Sequence, residues 1–341
     1  MENEIKTNEE VKEETPTEEA APAEETKTEE EASKEEKVEE VEPITYSSKY
    51  LENIEEERAK FLKVYKTQNA FKWVVSLVCI AAVIFGCIVV PNLIGGTNGT
   101  IAMVVILVVA LAATILYSVL TRKSIRKKME AYFNLYYENM NKFVFEEEAT
   151  EINSQFPGKI QNEAFLDNGL YKDVIEVGSR GLTEIKYHDI DIAVVDTAAQ
   201  VRQDKRIVPV YVGKYLYAAS NYAYDDPTFI YFKGDKRSLP PTNLDGVNEV
   251  LKENRYTVYS NNKDWKKVIN ANVKKIFEEI KMNKEFVDLS ISLQKGRVFV
   301  CMGYDDPLMV LPLQNQFNPK PTELYKADVK NILKLIEEFN K

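Results

Sequence analysis

The chain has 341 residues, 45% of them hydrophobic, and a formal net charge of −10. The charge is uneven: residues 1–43 hold 18 Glu, five Lys and no Asp, so this segment carries −13 and the remainder +3. A remainder so weakly basic argues against a nucleic-acid-binding protein, and the low overall pI describes the N-terminal segment alone.

Residues 1–43 form an acidic tail with few apolar residues beyond Ala and Pro. Such a segment cannot bury enough apolar surface to offset the entropy of ordering, so it is predicted to be disordered. Two interpretations stand side by side. The tail recruits a basic protein partner or shields the anionic membrane surface, or it is only a solubilising extension.

An uncharged run of 49 residues, 73–121, follows Lys72 and ends before Arg122. One bilayer crossing needs about 20 apolar residues, so the run is long enough for two. Pro91, Asn92 and the Gly-rich stretch 95–99 are typical of a turn and divide it into predicted spans at 73–90 and 101–120. The sequence therefore predicts a transmembrane helical hairpin with the lipid bilayer as its first partner.

Basic residues lie outside both spans, and the loop between them is uncharged. Because cytoplasmic flanks carry the excess of Lys and Arg, both termini are predicted to be cytoplasmic and the protein integral to the cell membrane. The flanking residues are Arg58, Lys60, Lys63, Lys66 and Lys72 before the first span, and Arg122, Lys123, Arg126, Lys127 and Lys128 after the second.

Helical patterns with apolar residues three and four positions apart continue both spans outward. They predict a juxtamembrane helix at 44–72 and a cytosolic helix at 122–150. Because these helices leave the membrane side by side, they are expected to pair as a short coiled-coil stalk. The alternative is an amphipathic helix lying on the lipid surface.

Residues 151–341 are predicted to form one cytosolic α/β domain. Overall the fold class is α+β: the transmembrane hairpin with its helical extensions, then a mostly antiparallel sheet with flanking helices. The alternation of apolar residues shifts phase at His188-Asp189, which predicts a bulge or tight turn there. Strands are predicted at 207–212, 215–219, 228–232 and 309–313, a hairpin at 287–293 and 298–302 across Lys295-Gly296, and helices at 265–282 and 321–339.

His188 is the only histidine, so it is the simplest general base near neutral pH. Its neighbours Asp189 and Asp191 would support a His–Asp arrangement in a membrane-bound hydrolase or transferase. No nucleophile motif accompanies them, and a histidine at a strand irregularity is more often structural. These three residues are the catalytic candidates.

Tyr224-Asp225-Asp226-Pro227 echoes the later segment at 304–307, which has the same four residue types. The carboxylates of Asp225, Asp226, Asp305 and Asp306 are metal-ligand candidates for Mg²⁺ or Ca²⁺. Asp and Pro are also the residues that turns require, so two hairpins of like shape are the favoured interpretation.

Other patterns support binding chemistry less well. The three cysteines, Cys79, Cys87 and Cys301, lack metal or redox spacing, so no cofactor is predicted. Residues 178–181, Gly-Ser-Arg-Gly, resemble a turn before a strand and no helix follows them, which disfavours a phosphate-binding loop. Basic stretches at 202–206 and 233–237 lie near tyrosines but do not outweigh the low net charge.

Several segments resemble a bacterial membrane-protein family known only as a domain of unknown function. They are 165–171, 187–190, 231–234, 256–260 and 297–300, whose sequences read FLDNGLY, YHDI, YFKG, YTVYS and RVFV. The resemblance implies two adjacent transmembrane helices followed by a cytosolic α/β domain. It implies no catalytic residues.

Together these patterns favour a membrane-anchored cytosolic binding or scaffolding protein without a catalytic motif, with a cytosolic protein partner reached through the tail or the domain. The alternative is the hydrolase or transferase that uses His188, and a third class is transport through a homo-oligomer of hairpins. The sequence does not specify an oligomeric state.

Overall fold

A computed structural model describes residues 44–234, 238–282, 285–304 and 313–341. The predicted acidic tail, the metal candidates Asp305 and Asp306, and all but the last residue of the predicted strand 309–313 lie outside the described residues.

Two long helices open the described chain: α1, Lys49–Ile94, and α2, Gly96–Phe145. The predicted loop is wrong in length, because Gly95 alone separates the helices. Gly95 and Gly96 have φ of 67° and 56°, a conformation that glycine adopts without a steric penalty. Helical hydrogen bonding persists up to this point, so Pro91 and Asn92 lie inside α1 and not in a loop.

Both helices contain an apolar window long enough to cross a membrane, with mean hydropathy 2.9 in α1 and 2.8 in α2. Only 11% and 6% of the residues in these windows are buried. In a soluble protein a core helix would bury such a window inside the protein. In a membrane protein the hydrocarbon of the bilayer surrounds it instead.

The helices lie side by side within the windows and beyond them. A Cβ on Gly86 would lie 2.9 Å from Cγ2 of Ile106, so the small residue allows close approach. In the predicted extensions, the rings of Phe61 and Tyr132 stack with centroids 5.6 Å apart. The two extensions therefore lie against each other, and the coiled coil stays a prediction.

A nine-stranded sheet follows, in the order β1-β2-β3-β4-β9-β8-β5-β7-β6, and every neighbouring pair is antiparallel. This confirms the predicted α+β class. In chain order the remaining elements are β1 (Glu151–Ser154), α3 (Asn162–Leu166), β2 (Val174–Tyr187), β3 (Ile190–Gln203), β4 (Arg206–Ala219), β5 (Thr228–Phe232), β6 (Glu249–Lys252), β7 (Tyr256–Ser260), α4 (Trp265–Val268), α5 (Ala271–Glu279), β8 (Phe286–Gln294), β9 (Arg297–Tyr304) and α6 (Lys320–Glu338).

Several predicted elements are confirmed, including β5, the β8–β9 hairpin across Lys295-Gly296 and the closing helix. The predicted helix 265–282 is instead two helices, because the side chain of Asn270 caps α5 by accepting a hydrogen bond from the backbone N–H of Val273 at 2.9 Å. The predicted strands 207–212 and 215–219 form the single strand β4.

The main hydrophobic core joins the helices to one face of the sheet. Leu51 and Ile54 of α1 and Tyr136 to Phe145 of α2 share one buried cluster with α6 and the central strands. Ion pairs between the turn that follows α2 and helix α6 reinforce this contact, with Lys326 Nζ 2.7 Å from Glu147 Oε1 and Lys330 Nζ 2.6 Å from Glu148 Oε1. A second cluster, rich in tyrosine, packs around Phe165 of α3 and Tyr215 of β4.

Candidate functional site

Three charged residues lie directly opposite one another across neighbouring strands. In the antiparallel register Arg180 of β2 is paired with Asp196 of β3, and Asp196 is paired with Lys214 of β4. Residues that share a register row point to the same face of a sheet. The row thus places a carboxylate between a guanidinium and an ammonium group.

The ammonium group of Lys214 forms an ion pair with Oδ1 of Asp196. The Lys214 side chain is 4% exposed and that of Asp196 is 16% exposed, so both charges are largely removed from water. Burial lowers the pKa of Lys214, and the neighbouring Asp196 carboxylate offsets part of this shift. The Lys214 Nζ also lies 5.2 Å from the ring centroid of Tyr325 on α6.

The second carboxylate oxygen of Asp196 contacts α2. The hydroxyl of Tyr137 donates a hydrogen bond to Asp196 Oδ2 at 3.2 Å. Gly181, in a bulge of β2 with φ of 68°, makes room for this ring: a Cβ there would overlap the ring of Tyr137. The helix that contains the second apolar window therefore ends against the charged row.

Strand β4 is continuous through Gly213-Lys214, although these residues are typical of a strand break. A Cβ on Gly213 would overlap the carbonyl oxygen of Met302, so only glycine allows β4 and β9 to approach this closely. The Tyr211 hydroxyl donates to the carbonyl oxygen of Lys214 at 2.6 Å and holds the backbone at the same point.

A cavity of about 310 Å³ opens over the charged row. Its walls combine small or apolar residues with the three charged ones, a composition common in small-molecule sites. The lining residues are Gly178, Ser179, Arg180, Asp196, Thr197, Ala198, Val212, Gly213, Lys214 and Tyr304.

Tyr304 connects the cavity wall to a second, half-buried acid. Its hydroxyl donates to Oδ2 of Asp328 on α6 at 3.2 Å. Burial raises the pKa of Asp328 to about 7, against the opposing effect of the Tyr304 hydrogen bond. Perturbed acids and bases beside a cavity are the usual mark of a functional site, although structural networks produce them as well.

The catalytic candidates from the sequence lie elsewhere. His188 and Asp189 form the two-residue turn between β2 and β3, which confirms the predicted turn, and His188 has φ of 45°. The His188 side chain is 63% exposed, and its Nδ1 lies 3.4 Å from Oε2 of Glu337. Asp191 is exposed and lines a separate groove of about 620 Å³.

Asp225 and Asp226 are exposed in a bend between β4 and β5. The expected hairpin is wrong here, because the β8–β9 hairpin lies between β4 and β5 in the sheet. Within the described part of the chain, no group of three or more His, Cys, Asp or Glu side chains is arranged to hold a metal ion.

Two other sequence interpretations change in the structure. Residues 178–181 lie within β2 and not in a turn before it. Residues 202–206 span the tight turn between β3 and β4, and of the second basic stretch only Lys233 and Gly234 belong to the described residues.

Sequence reasoning did not single out Asp196, Lys214 or Asp328. The available signal was a charged residue near the middle of an apolar strand pattern, as in IAVVDTAA for Asp196 and VYVGKYLY for Lys214. A charge at a predicted core position requires a partner, and the strand pairing that identifies this partner is absent from the linear pattern.

No family model matches the chain, and no curated protein matches it. Among solved structures it is similar to the crystal structure of the mycobacterial trehalose monomycolate transport factor A, TtfA, with a TM-score of 0.36 and 9% sequence identity. The alignment covers 60% of this chain and 96% of that one. A similarity at this level carries no argument about function.

Proposed function

We propose that this protein is a membrane-anchored, non-enzymatic binding protein. Its two apolar helices cross the bilayer, and its sheet domain binds a small ligand in the cytoplasm, in the cavity over Arg180, Asp196 and Lys214. The single observation that carries the binding role is the buried Lys214–Asp196 pair at the wall of this cavity.

A buried ion pair contributes little net stability to a sheet, because removing two charges from water costs free energy. Replacing such a pair by apolar side chains of similar volume is often neutral or stabilising by about 1–4 kcal/mol, so the pair is weak evidence of a purely structural role. Here it adjoins a cavity, and a cavity with a few converging polar groups is the ordinary setting for ligand recognition.

The anchor is supported by the exposed apolar windows of α1 and α2. Large side chains such as Leu77, Leu93 and Val108 are more than half exposed, and a soluble monomer rarely presents so large an apolar surface to water. The excess of basic residues outside both windows favours a cytoplasmic sheet domain and cytoplasmic termini.

Cysteine labelling in intact cells tests the anchor and its orientation. In a Cys79→Ala/Cys87→Ala chain, which retains the buried Cys301, a membrane-impermeant maleimide should label Asn98→Cys directly. Thr45→Cys and Lys341→Cys should react only after permeabilisation. Labelling of either terminal cysteine in intact cells would contradict the proposed topology.

Native mass spectrometry of the full chain, extracted with its surrounding lipid, tests the cavity. We expect a bound small molecule on the wild type and its loss from Ala198→Phe, which fills the cavity. Ala193→Phe is the matched control, because Ala193 lies on the same strand but lines the separate groove. The binding role fails if the wild type has no bound mass, or if Ala198→Phe retains it.

A further inference from the structure

We infer that the turn between β3 and β4, residues 202–207, is a second membrane contact of this protein. Its basic side chains bind the anionic phospholipid headgroups of the bilayer that α1 and α2 cross, and this contact holds the sheet domain in a fixed orientation against the membrane. The inference rests on the membrane anchor of the proposed function, because it requires a bilayer around the two apolar windows. It does not involve the cavity or its ligand.

Contacts between α2 and the sheet define the direction of β3 relative to the apolar windows. Near the end of α2, the side-chain amide of Asn141 donates a hydrogen bond to the hydroxyl of Thr183, whose register partner in β3 is Val194. One helical turn closer to the window, Tyr137 contacts Asp196. The step along α2 spans about 6 Å and the step along β3 about 7 Å, so helix and strand run side by side in opposite chain directions. Strand β3 therefore runs toward the bilayer as its residue numbers rise.

The end of β3 reaches the level at which the apolar window of α2 ends. Arg122 is the first charged residue after the uncharged run, and it precedes Tyr137 by 15 positions, which is about 22 Å along an α-helix. Gln203 follows Asp196 by seven positions, which is about 23 Å along a strand. The β3–β4 turn thus lies at the level of the membrane surface, and the β2–β3 turn lies at the opposite end of these strands.

The β3–β4 turn has the chemistry of a surface that binds headgroups. Arg202, Lys205 and Arg206 are exposed, and none of them forms an ion pair with another residue in the part of the chain that the structure describes. With Asp204 counted, the turn carries a net charge of +2. Ile207 is 53% exposed beside these charges. Basic residues near an anionic bilayer are attracted to its phosphates, and an exposed apolar side chain among them leaves water for the edge of the hydrocarbon.

Fluorescence quenching by lipid headgroups tests the contact. The full chain with Cys79→Ala/Cys87→Ala receives one new cysteine, which is labelled with bimane, while the buried Cys301 stays unlabelled. The chain is placed in nanodiscs of phosphatidylcholine alone, or of phosphatidylcholine and phosphatidylglycerol in equal parts, with a fraction of lipid that carries a nitroxide on its headgroup.

Three exposed positions receive the label in separate chains. Gln203→Cys lies in the β3–β4 turn, Asp189→Cys lies in the β2–β3 turn, and Lys123→Cys lies beside the apolar window. We expect strong quenching of the Lys123→Cys label in both lipids and little quenching of the Asp189→Cys label in either. Quenching of the Gln203→Cys label should be at least about twofold greater when phosphatidylglycerol is present.

Charge variants of the Gln203→Cys chain locate the binding. Lys205→Gln/Arg206→Gln should lower the ratio of membrane-bound to unbound turn about 30-fold and abolish the effect of phosphatidylglycerol. Salt at about 1 M, where the Debye length is about 3 Å, should do the same to the unsubstituted turn.

Lys263→Gln/Lys275→Gln is the matched control. It removes two exposed lysines, one after β7 and one on α5, and should leave the quenching unchanged. All the replaced side chains are exposed, so each variant should keep its fold, which thermal unfolding checks.

Three outcomes would overturn the inference. They are equal quenching of the labels on Gln203→Cys and Asp189→Cys, quenching at Gln203→Cys that does not respond to phosphatidylglycerol, or quenching that Lys205→Gln/Arg206→Gln leaves unchanged. If the Lys123→Cys label is still quenched in these cases, the membrane anchor of the proposed function stands while the headgroup contact fails. If the Lys123→Cys label is not quenched either, the anchor fails as well.

Discussion

Tyr137 of α2 donates a hydrogen bond to Asp196 of β3 across 3.2 Å, and this contact joins the helix that carries the second apolar window to the wall of the cavity. The same carboxylate forms the ion pair with Lys214, so a shift of α2 along its axis would move Tyr137, a hydrogen-bond donor to the central residue of the charged row.

Tyr137→Phe removes the hydroxyl and leaves Asp196 Oδ2 without this donor. A hydrogen bond to a charged group contributes about 1.5–3 kcal/mol, and we expect the free energy of unfolding to fall by about that amount. Urea denaturation of the full chain in detergent measures it. Tyr65→Phe, at an exposed position of α1, is the control and should change little.

Lys214→Met should lower the free energy of unfolding by about 3 kcal/mol, the low end of the range for a broken buried pair, because it leaves the largely buried Asp196 carboxylate without the ammonium group that contacts Oδ1. The double variant Asp196→Asn/Lys214→Met removes both charges and should be more stable than Lys214→Met alone. A double-mutant cycle on the same denaturation curves gives the coupling energy. Additive effects of the two substitutions would show that the pair is not coupled.

Asp328 should make stability depend on pH. Its pKa is about 7 in the folded chain and 3.8 as the ordinary value, so the folded state binds a proton that the unfolded state lacks between these limits. This contribution is present in full below pH 3.8 and is lost as the pH rises through 7.

Asp328→Asn keeps a neutral side chain at all pH values, so its unfolding free energy should fall less steeply from pH 4 to pH 7. At pH 8 we expect the variant to be more stable than the wild type by about 2 kcal/mol, allowing for partial solvent screening. Asp225→Asn, at an exposed bend, should retain the pH profile of the wild type. An identical profile for Asp328→Asn would contradict the assignment.

His188→Asn tests the alternative that His188 is a catalytic base. Asparagine tolerates the positive φ at this turn, so stability should change by no more than about 0.5 kcal/mol. We expect the bound mass in native mass spectrometry and any cellular phenotype to remain those of the wild type. Loss of the phenotype in a chain that is still folded would favour the hydrolase or transferase interpretation.

A fragment that begins at Glu151 should fold poorly, because the main core includes Leu51, Ile54 and the segment from Tyr136 to Phe145. In a second variant chain, residues 44–341 keep these side chains and a Gly/Ser linker replaces residues 73–121. We expect the linker-containing 44–341 chain to be a soluble monomer that unfolds cooperatively on heating, and the 151–341 fragment not to be. A soluble, cooperatively unfolding 151–341 fragment would show that the helices contribute little to the core.

The sequence by itself determined the elements whose signals are local. An uncharged run of 49 residues can satisfy its backbone polar groups in an apolar medium only as helix, so the two long helices followed from composition. The Lys295-Gly296 turn and the alternation on either side of it likewise placed the β8–β9 hairpin, since a turn and a period of two involve neighbouring residues.

Only the tertiary structure decided which strands are neighbours, and the candidate site depends on that pairing. The β8–β9 hairpin lies between β4 and β5, and the register of β2, β3 and β4 aligns Arg180, Asp196 and Lys214. Lys214 and Asp196 are 18 positions apart, and no sequence motif connects them. Each one alone is only a charged residue within an apolar strand pattern. The ion pair between them forms only when the strands pack together and exclude water, so no local sequence pattern predicts it.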